Sequence, residues 1–255
     1  MLEPMLLLGI DTCGPSGSVA LGRLHGDAVE ILGQIELEGR GYSATLVAAV
    51  AELLAQSGVE LRNLTAIVAV NGPGSFTGVR VGLSAVKGLA EAAQIPVVAV
   101  SRLEVLAAKA GVPTGRSSSV GWKAGAPTGR SSSVGWKASA PSAALDAHRQ
   151  EVFLRLGESG LEAGELLAGA HELAAINPAG AKIAVCDEAA AALLASAWPA
   201  AELVRTLAPT AADALVLCAP RVLAGEFVDL ALLDGHYLRR SDAEIFGEPT
   251  APQRL

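Results

Sequence analysis

Three short apolar runs, Met5 to Ile10, Leu64 to Val70 and Ile95 to Val100, constrain what this chain can fold into more than any other feature. Short, nearly unbroken apolar runs bounded by turn residues read as buried strands. The first ends at Asp11 and the turn-rich Thr12-Cys13-Gly14-Pro15-Ser16-Gly17; the second is broken by Asn71-Gly72-Pro73-Gly74. Ser18 to Leu21 returns as the second arm of a hairpin, and Val29 to Leu37 adds a third strand. Between the runs the period changes. Leu46, Val47, Val50, Leu53 and Leu54 share one helical face, with Ser43 as N-cap and Gly58 where a C′ glycine would end the helix. A second helix begins near Ser75 to Thr77 and runs to about Ala93. It carries one apolar stripe, Val79, Leu83 and Val86, and one of small residues only, Gly78, Gly82 and Ala85. The order β-β-β-α-β-α-β predicts an α/β fold with a mixed sheet flanked by helices.

The remainder echoes this plan more weakly. Leu103 to Ala110 reads as a short helix, Ala143 to Asp146 with Val152 to Leu156 as a hairpin, and Lys182 to Val185 as a strand. Glu188 to Ala197 and Thr210 to Ala224 read as Ala-rich helices. The expected division is a first lobe over 1–101 and a second, smaller lobe over 102–255. Residues 113–124 and 127–138 are the same twelve residues, PTGRSSSVGWKA. Their Ser, Gly, Pro and Thr content predicts an exposed, disordered loop. Two readings stand for it: a contact loop using Arg116, Trp122, Lys123 and their copies, or a duplication that a surface loop tolerates.

Several function classes are excluded or weakened. The net charge is −7 and no basic run tracks a phosphate backbone, so any role on RNA is expected to be indirect, through a partner. Cys13, Cys186 and Cys218 form no CxxC pair, and they read as reduced thiols acting as small apolar side chains. His25, His148, His171 and His236 are scattered, with no HxxxH or HExxH, so no metal site is expected. The start, MLEPMLLLGIDT, has no basic segment and an apolar run of about six residues, too short for a signal peptide or a membrane span; a cytoplasmic protein is expected.

Two loops are candidates for chemistry. Asp11, at a strand end and followed by Thr12, Gly14, Ser16 and Gly17, has the make-up of a metal–phosphate loop; a structural loop capped by Asp11 explains the same residues. The run Asn71 to Arg80 places a Gly-rich turn before a helix, where backbone N–H groups can bind phosphate. It is neither a Walker A loop nor GxGxxG, and a tight turn capped by Ser75 or Thr77 is the rival reading.

Gly72-Pro73-Gly74-Ser75-Phe76-Thr77-Gly78-Val79-Arg80 closely resembles the signature of the TsaB (YeaZ) family. Leu8 to Thr12 and Ser18 to Leu21 resemble that family's opening hairpin, Leu145 to Phe153 an internal segment, and Tyr237-Leu238-Arg239 its tail; residues 158–230 match loosely. The resemblance implies a two-lobed actin/Hsp70/hexokinase-like fold. It implies a scaffold or dimerisation subunit without activity of its own, which binds and activates the catalytic subunit TsaD in forming N6-threonylcarbamoyladenosine at position 37 of tRNA. Further implications are contact with the ATPase TsaE, ATP at the interface of the complex rather than a cofactor of this chain, and a homodimer when alone. TsaD's HxxxH metal motif would fall on the helix Ser43–Ser57, which here has no histidine. Pairing through equivalent helices assigns the partner interface to Ser43, Leu46, Val47, Val50, Gly78, Gly82 and Ala85. Asp11 and Thr12 become a degenerate phosphate loop. The alternatives are a stand-alone actin-like ATPase or kinase, and a metallopeptidase, which the missing histidine pair opposes.

Overall fold

Strands β1 (Met5–Asp11), β2 (Ser16–His25) and β3 (Ala28–Glu38) form an antiparallel meander, and helix α1 (Tyr42–Gln56) follows. Strand β4 (Ala66–Val70), helix α2 (Phe76–Ala93) and strand β5 (Val97–Val100) then add two parallel strands, giving the order β3-β2-β1-β4-β5. After helix α3 (Arg102–Ala110) the plan recurs. Strands β6 (Ser142–Asp146), β7 (Val152–Arg155) and β8 (Glu165–Ala168) make a second meander. Helix α4 (Ala170–Ala175), strand β9 (Lys182–Val185), helix α5 (Glu188–Ala197), strand β10 (Glu202–Arg205) and helix α6 (Ala211–Leu223) complete it, in the order β10-β9-β6-β7-β8. One topology used twice, with two mixed sheets flanked by helices, is the two-lobed actin-like fold. This computed structural model describes residues 5–38, 41–111, 142–156, 164–176, 178 and 181–239; the duplicated segment 113–138 lies outside them.

The first sheet is buried on both faces, which is why its central strands are apolar without alternation. Gly33 faces Leu53 of α1, whereas Gly9 and Gly22 face Ala211 and Leu215 of α6 on the other side. Ala211, Ala214, Leu215, Cys218, Ala219 and Val222 therefore belong to the core built by β1, β2 and β4. In return, Leu103, Leu106 and Ala107 of α3 pack on Ala143, Leu145 and Phe153 of the second sheet. A division at 101/102 separates the two sheets and leaves α3 with the second, but α6, expected in the second lobe, packs on the first. The physical reason is coverage. The face of the first sheet opposite α1 and α2 has no helix from its own segment, and α6 supplies one.

Three elements are absent from the sequence expectation: β8, α4 and β10, of four, six and four residues. β8 and β10 are no shorter than β5 and β9 but are half-exposed, so they show no unbroken apolar run, and α4 is under two turns long. The first helix also begins one residue before the expected cap. Gly41 is its N-cap, and Ser43 sits exposed in the first turn with no capping bond. For α2 the rival caps are resolved: Ser75 Oγ accepts the N–H of Gly78 at 3.2 Å.

Candidate functional site

The signature run is a hinge-like turn between β4 and α2 that meets the β1–β2 loop face to face. Gly72 has φ 114°, a conformation side chains rarely adopt. A Cβ on Gly74 would overlap Cys13 O, so only glycine lets the two loops touch there. Ser75 N donates to Cys13 O at 2.8 Å, and Thr12 Oγ1 donates to Gly78 O at 2.7 Å. A cleft of about 900 Å³ opens beside this junction, between the lobes; Cys13, Gly74, Phe76, Arg102, His148 and Tyr237 are among its lining residues.

At the base of the junction Asp11, 1% exposed, is fully occupied. Its Oδ1 accepts the N–H of Cys13 at 2.8 Å, and its Oδ2 lies 3.2 Å from Nε of Arg102. Burial works against the Arg102 charge, and the Asp11 carboxylate beside it outweighs that and holds the guanidinium protonated above its usual range. The same guanidinium fills the space a side chain on Gly14 would need, and Arg102 N donates to Gly72 O at 2.6 Å. Tyr42 closes the loop from the other side, donating its hydroxyl to Gly14 O at 2.9 Å, and burial pushes its pKa up to about 12. Burial also raises the thiols of Cys13 and Cys186, and lifts Cys218 to about 12, so none of the three is poised as a thiolate.

The C-terminal strap, residues 228–239, ties the lobes across this site. Val228 N donates to Val97 O at 2.9 Å, His236 N to Asn71 O at 2.7 Å, and Arg239 pairs with Glu151 of the second lobe. Its centre is held by Glu165, whose side chain is 6% exposed. Ser101 Oγ donates to it at 2.6 Å and Arg155 Nη1 at 2.7 Å, while His236 Nε2 lies 2.9 Å away. Ser101 and His236 both address the same oxygen, Oε2, so this is a clasp and not a Ser–His couple: the hydroxyl's proton goes to the carboxylate, not to the imidazole. Burial alone would raise the Glu165 pKa; the bonds from His236, Ser101 and Arg155 outweigh it and hold the carboxyl below its ordinary value. A carboxyl depressed in the folded chain stabilises it above the unfolded-state pKa, and that contribution fades as pH falls through the folded value. The urea midpoint of Glu165→Gln is therefore expected below wild type at neutral pH, with the gap closing as pH drops below about 4.5. Paired urea titrations across that range check it; a gap independent of pH contradicts it.

Comparison with known proteins agrees with the signature. A family model described as "TsaD: tRNA N6-adenosine threonylcarbamoyltransferase" matches residues 34–120. The "tRNA threonylcarbamoyladenosine biosynthesis protein TsaB" of Haemophilus influenzae is 38% identical over 106 residues, 42% of this chain and 43% of that protein. The protein of the same name in Bacillus subtilis is 40% identical over 104 residues, 41% of this chain and 44% of its own length. The solved structure "YeaZ from Pseudomonas aeruginosa" superposes with a TM-score of 0.65 at 28% identity, covering 92% of this chain and all of that one. The chain resembles TsaB/YeaZ proteins in sequence over about two fifths of its length and in fold over nearly all of it. It spans under half the length of the curated relatives in these alignments.

The structure reassigns several residues that the family resemblance placed at a partner surface of this chain. Leu46 and Val50 are 1% and 2% exposed and belong to the first-lobe core, leaving Ser43 and Val47 on the outer face of α1. Gly78 and Gly82 point inward: a Cβ on either would overlap Thr12, and Ala85 is half-buried. The small-residue stripe lets α2 lie against the chain's own β1–β2 loop rather than a partner helix. Asp11 and Thr12, expected as a degenerate phosphate loop, are closed by Arg102, Cys13 N–H and Gly78 O. Arg102 and Glu165 went unread in the sequence. Each is an ordinary charged residue; Asp11 lies 91 positions from Arg102, and Ser101 and His236 lie 64 and 71 from Glu165.

The outer face of the α1–α2 pair is nevertheless small and apolar. Ala44, Val47, Ala48, Ala51 and Ala55 are exposed on α1, and Ser84, Gly88 and Ala92 on α2. The two helices pack against each other.

Proposed function

We propose that this chain is a non-catalytic scaffold subunit of the assembly that makes N6-threonylcarbamoyladenosine in tRNA, and that it binds and activates a TsaD-type catalytic subunit. The observation that carries this is the occupied state of Asp11. Both carboxylate oxygens have partners inside the protein, and a buried guanidinium fills the loop. A metal–phosphate unit would need that carboxylate facing an open loop. This disfavours the stand-alone ATPase or kinase, and the names of the relatives favour tRNA modification.

The exposed α1–α2 face is the proposed docking surface, since small side chains let a second helix pair approach closely along a seam. When alone, the same face serves a homodimer. Contact with TsaE, ATP at the assembled interface, tRNA reached only through the complex, and a cytoplasmic setting complete the proposal. The purified chain is expected to show background ATP turnover and no tRNA modification.

Val47, 57% exposed, tests the surface. Val47→Arg leaves the core untouched and puts a charge into the seam, where an uncompensated charge costs several kcal/mol, enough to weaken binding about a hundredfold or more. Size-exclusion chromatography after co-expression with TsaD from the same organism is the measurement. A folded Val47→Arg protein that co-elutes as wild type does sinks the assignment.

A further inference from the structure

One guanidinium stands apart from the rest. Of the described lysines and arginines other than Arg149, all but Arg80 and Lys87 are ion-paired. Arg80 has aromatic rings instead. Its Cζ lies 3.7 Å over the centroid of Phe76 and 6.0 Å from that of Tyr237, and the two rings are 5.2 Å apart at 49°. Phe76 and Tyr237 are 44% and 39% exposed in a chain that is only 4% aromatic, so the cluster is not core packing that reaches the surface by chance. A guanidinium lying on an aromatic face keeps its N–H edge outward, and that planar edge matches a carboxylate bidentately.

The cluster is also held in place. Phe76 opens α2 next to the Ser75 cap. Tyr237 is fixed on both sides, by His236 bound to Asn71 and Glu165 and by Arg239 paired with Glu151. Little side-chain freedom is left to lose on binding, which is what distinguishes an aromatic–arginine hot spot from a scattered exposed ring.

We propose that Phe76, Arg80 and Tyr237 form a preorganised receptor for a carboxylate of an acidic segment on the protein partner. This rests on the scaffold reading above and names its anchoring chemistry. Two observations choose that occupant. Phe76, Arg80, Ser84 and Gly88 follow at steps of four along α2, so the receptor continues into the small-residue face proposed for docking. Net charge −7, with only Lys87 beside Arg80 as a cation lacking an ion pair among the described residues other than Arg149, disfavours a phosphate backbone, which needs several unpaired cations. A single partner carboxylate needs one. Glu91, further along α2, limits how far an acidic segment follows the helix.

The test titrates the full chain with TsaD from the same organism, for wild type, Arg80→Glu, Arg80→Lys and Tyr237→Ala, each checked for unchanged melting. Arg80→Glu is expected to weaken binding by about a hundredfold. Arg80→Lys keeps the charge but loses the fork and the stacking, and is expected to cost about tenfold, as is Tyr237→Ala. Wild-type affinity should fall with salt, and that of Arg80→Glu should not. Folded Arg80→Glu binding TsaD as wild type does overturns the receptor and leaves the scaffold reading standing. Failure of wild type to bind TsaD removes both. In a parallel titration with tRNA, a loss confined to RNA binding would make the occupant a phosphate and overturn the proposal.

Discussion

Replacing Arg102 by Met is expected to destabilise the protein by roughly 3–5 kcal/mol, because it strands the Asp11 carboxylate without its counter-charge. Both groups are nearly inaccessible, at 5% and 1% exposure, so water cannot take the place of the lost partner. For a domain of this size that loss lowers the melting temperature by roughly 10 °C. The double variant Asp11→Asn, Arg102→Met separates charge from packing. Asn keeps an oxygen for the N–H of Cys13, and no unpaired charge remains. It is expected to recover at least half of the lost stability, since removing both members of a buried pair is far milder than removing one. Thermal and urea unfolding of the three variants decide it. A single Arg102→Met as stable as wild type would mean the pair contributes nothing, and would reopen Asp11 as a group free for phosphate chemistry.

The second large effect contrasts two glycines of α2. Gly82→Arg is expected to prevent the first lobe from folding. Its Cβ would overlap Thr12 Oγ1, which is buried and engaged with Gly78 O and so has nowhere to rotate. Overpacking of this kind costs about 1–3 kcal/mol, and a buried unpaired charge adds several more, a large part of a typical total stability of about 5–15 kcal/mol. Gly88 has nothing within 4 Å of where its Cβ would be, so Gly88→Arg is expected to fold as well as wild type or slightly better, because glycine is a poor helix former. Circular dichroism with thermal melts reads both. Pull-down of TsaD is then expected to fail for folded Gly88→Arg, which carries the arginine on the outer face. A soluble, cooperatively melting Gly82→Arg protein would show that α2 does not sit on Thr12 as described.

Much of the fold is legible in the chain because its elements are long or strongly patterned. The buried runs at β1, β4 and β5 and the periodic stretches at α1 and α2 announce themselves within ten to twenty residues, a range over which side-chain spacing alone reports burial. The signature turn is legible for a similar reason: Gly72 and Gly74 mark conformations and close approaches that other residues resist. β8 and β10 are as short as β5 but half-exposed, so no apolar run marks them, and α4 is too short to show a helical period. The site was less legible than the fold. A stripe of Gly78, Gly82 and Ala85 says that something comes close to α2, and the spacing is the same whether that neighbour is a partner's helix or Thr12 of the same chain.

The sequence by itself determined the signature run, the β-β-β-α-β-α-β order of its first hundred residues and the absence of an HxxxH pair, because each depends on residues near one another along the chain. Tertiary structure alone decided which faces are outward and which charges are spoken for. It turned Leu46, Val50, Gly78 and Gly82 inward, moved α6 onto the first lobe, neutralised Asp11 with Arg102 across 91 positions, and brought Tyr237 onto Phe76 and Arg80. Burial and charge pairing are set by the three-dimensional surroundings of a group, and those surroundings are assembled from segments whose spacing along the chain carries no record of their contact.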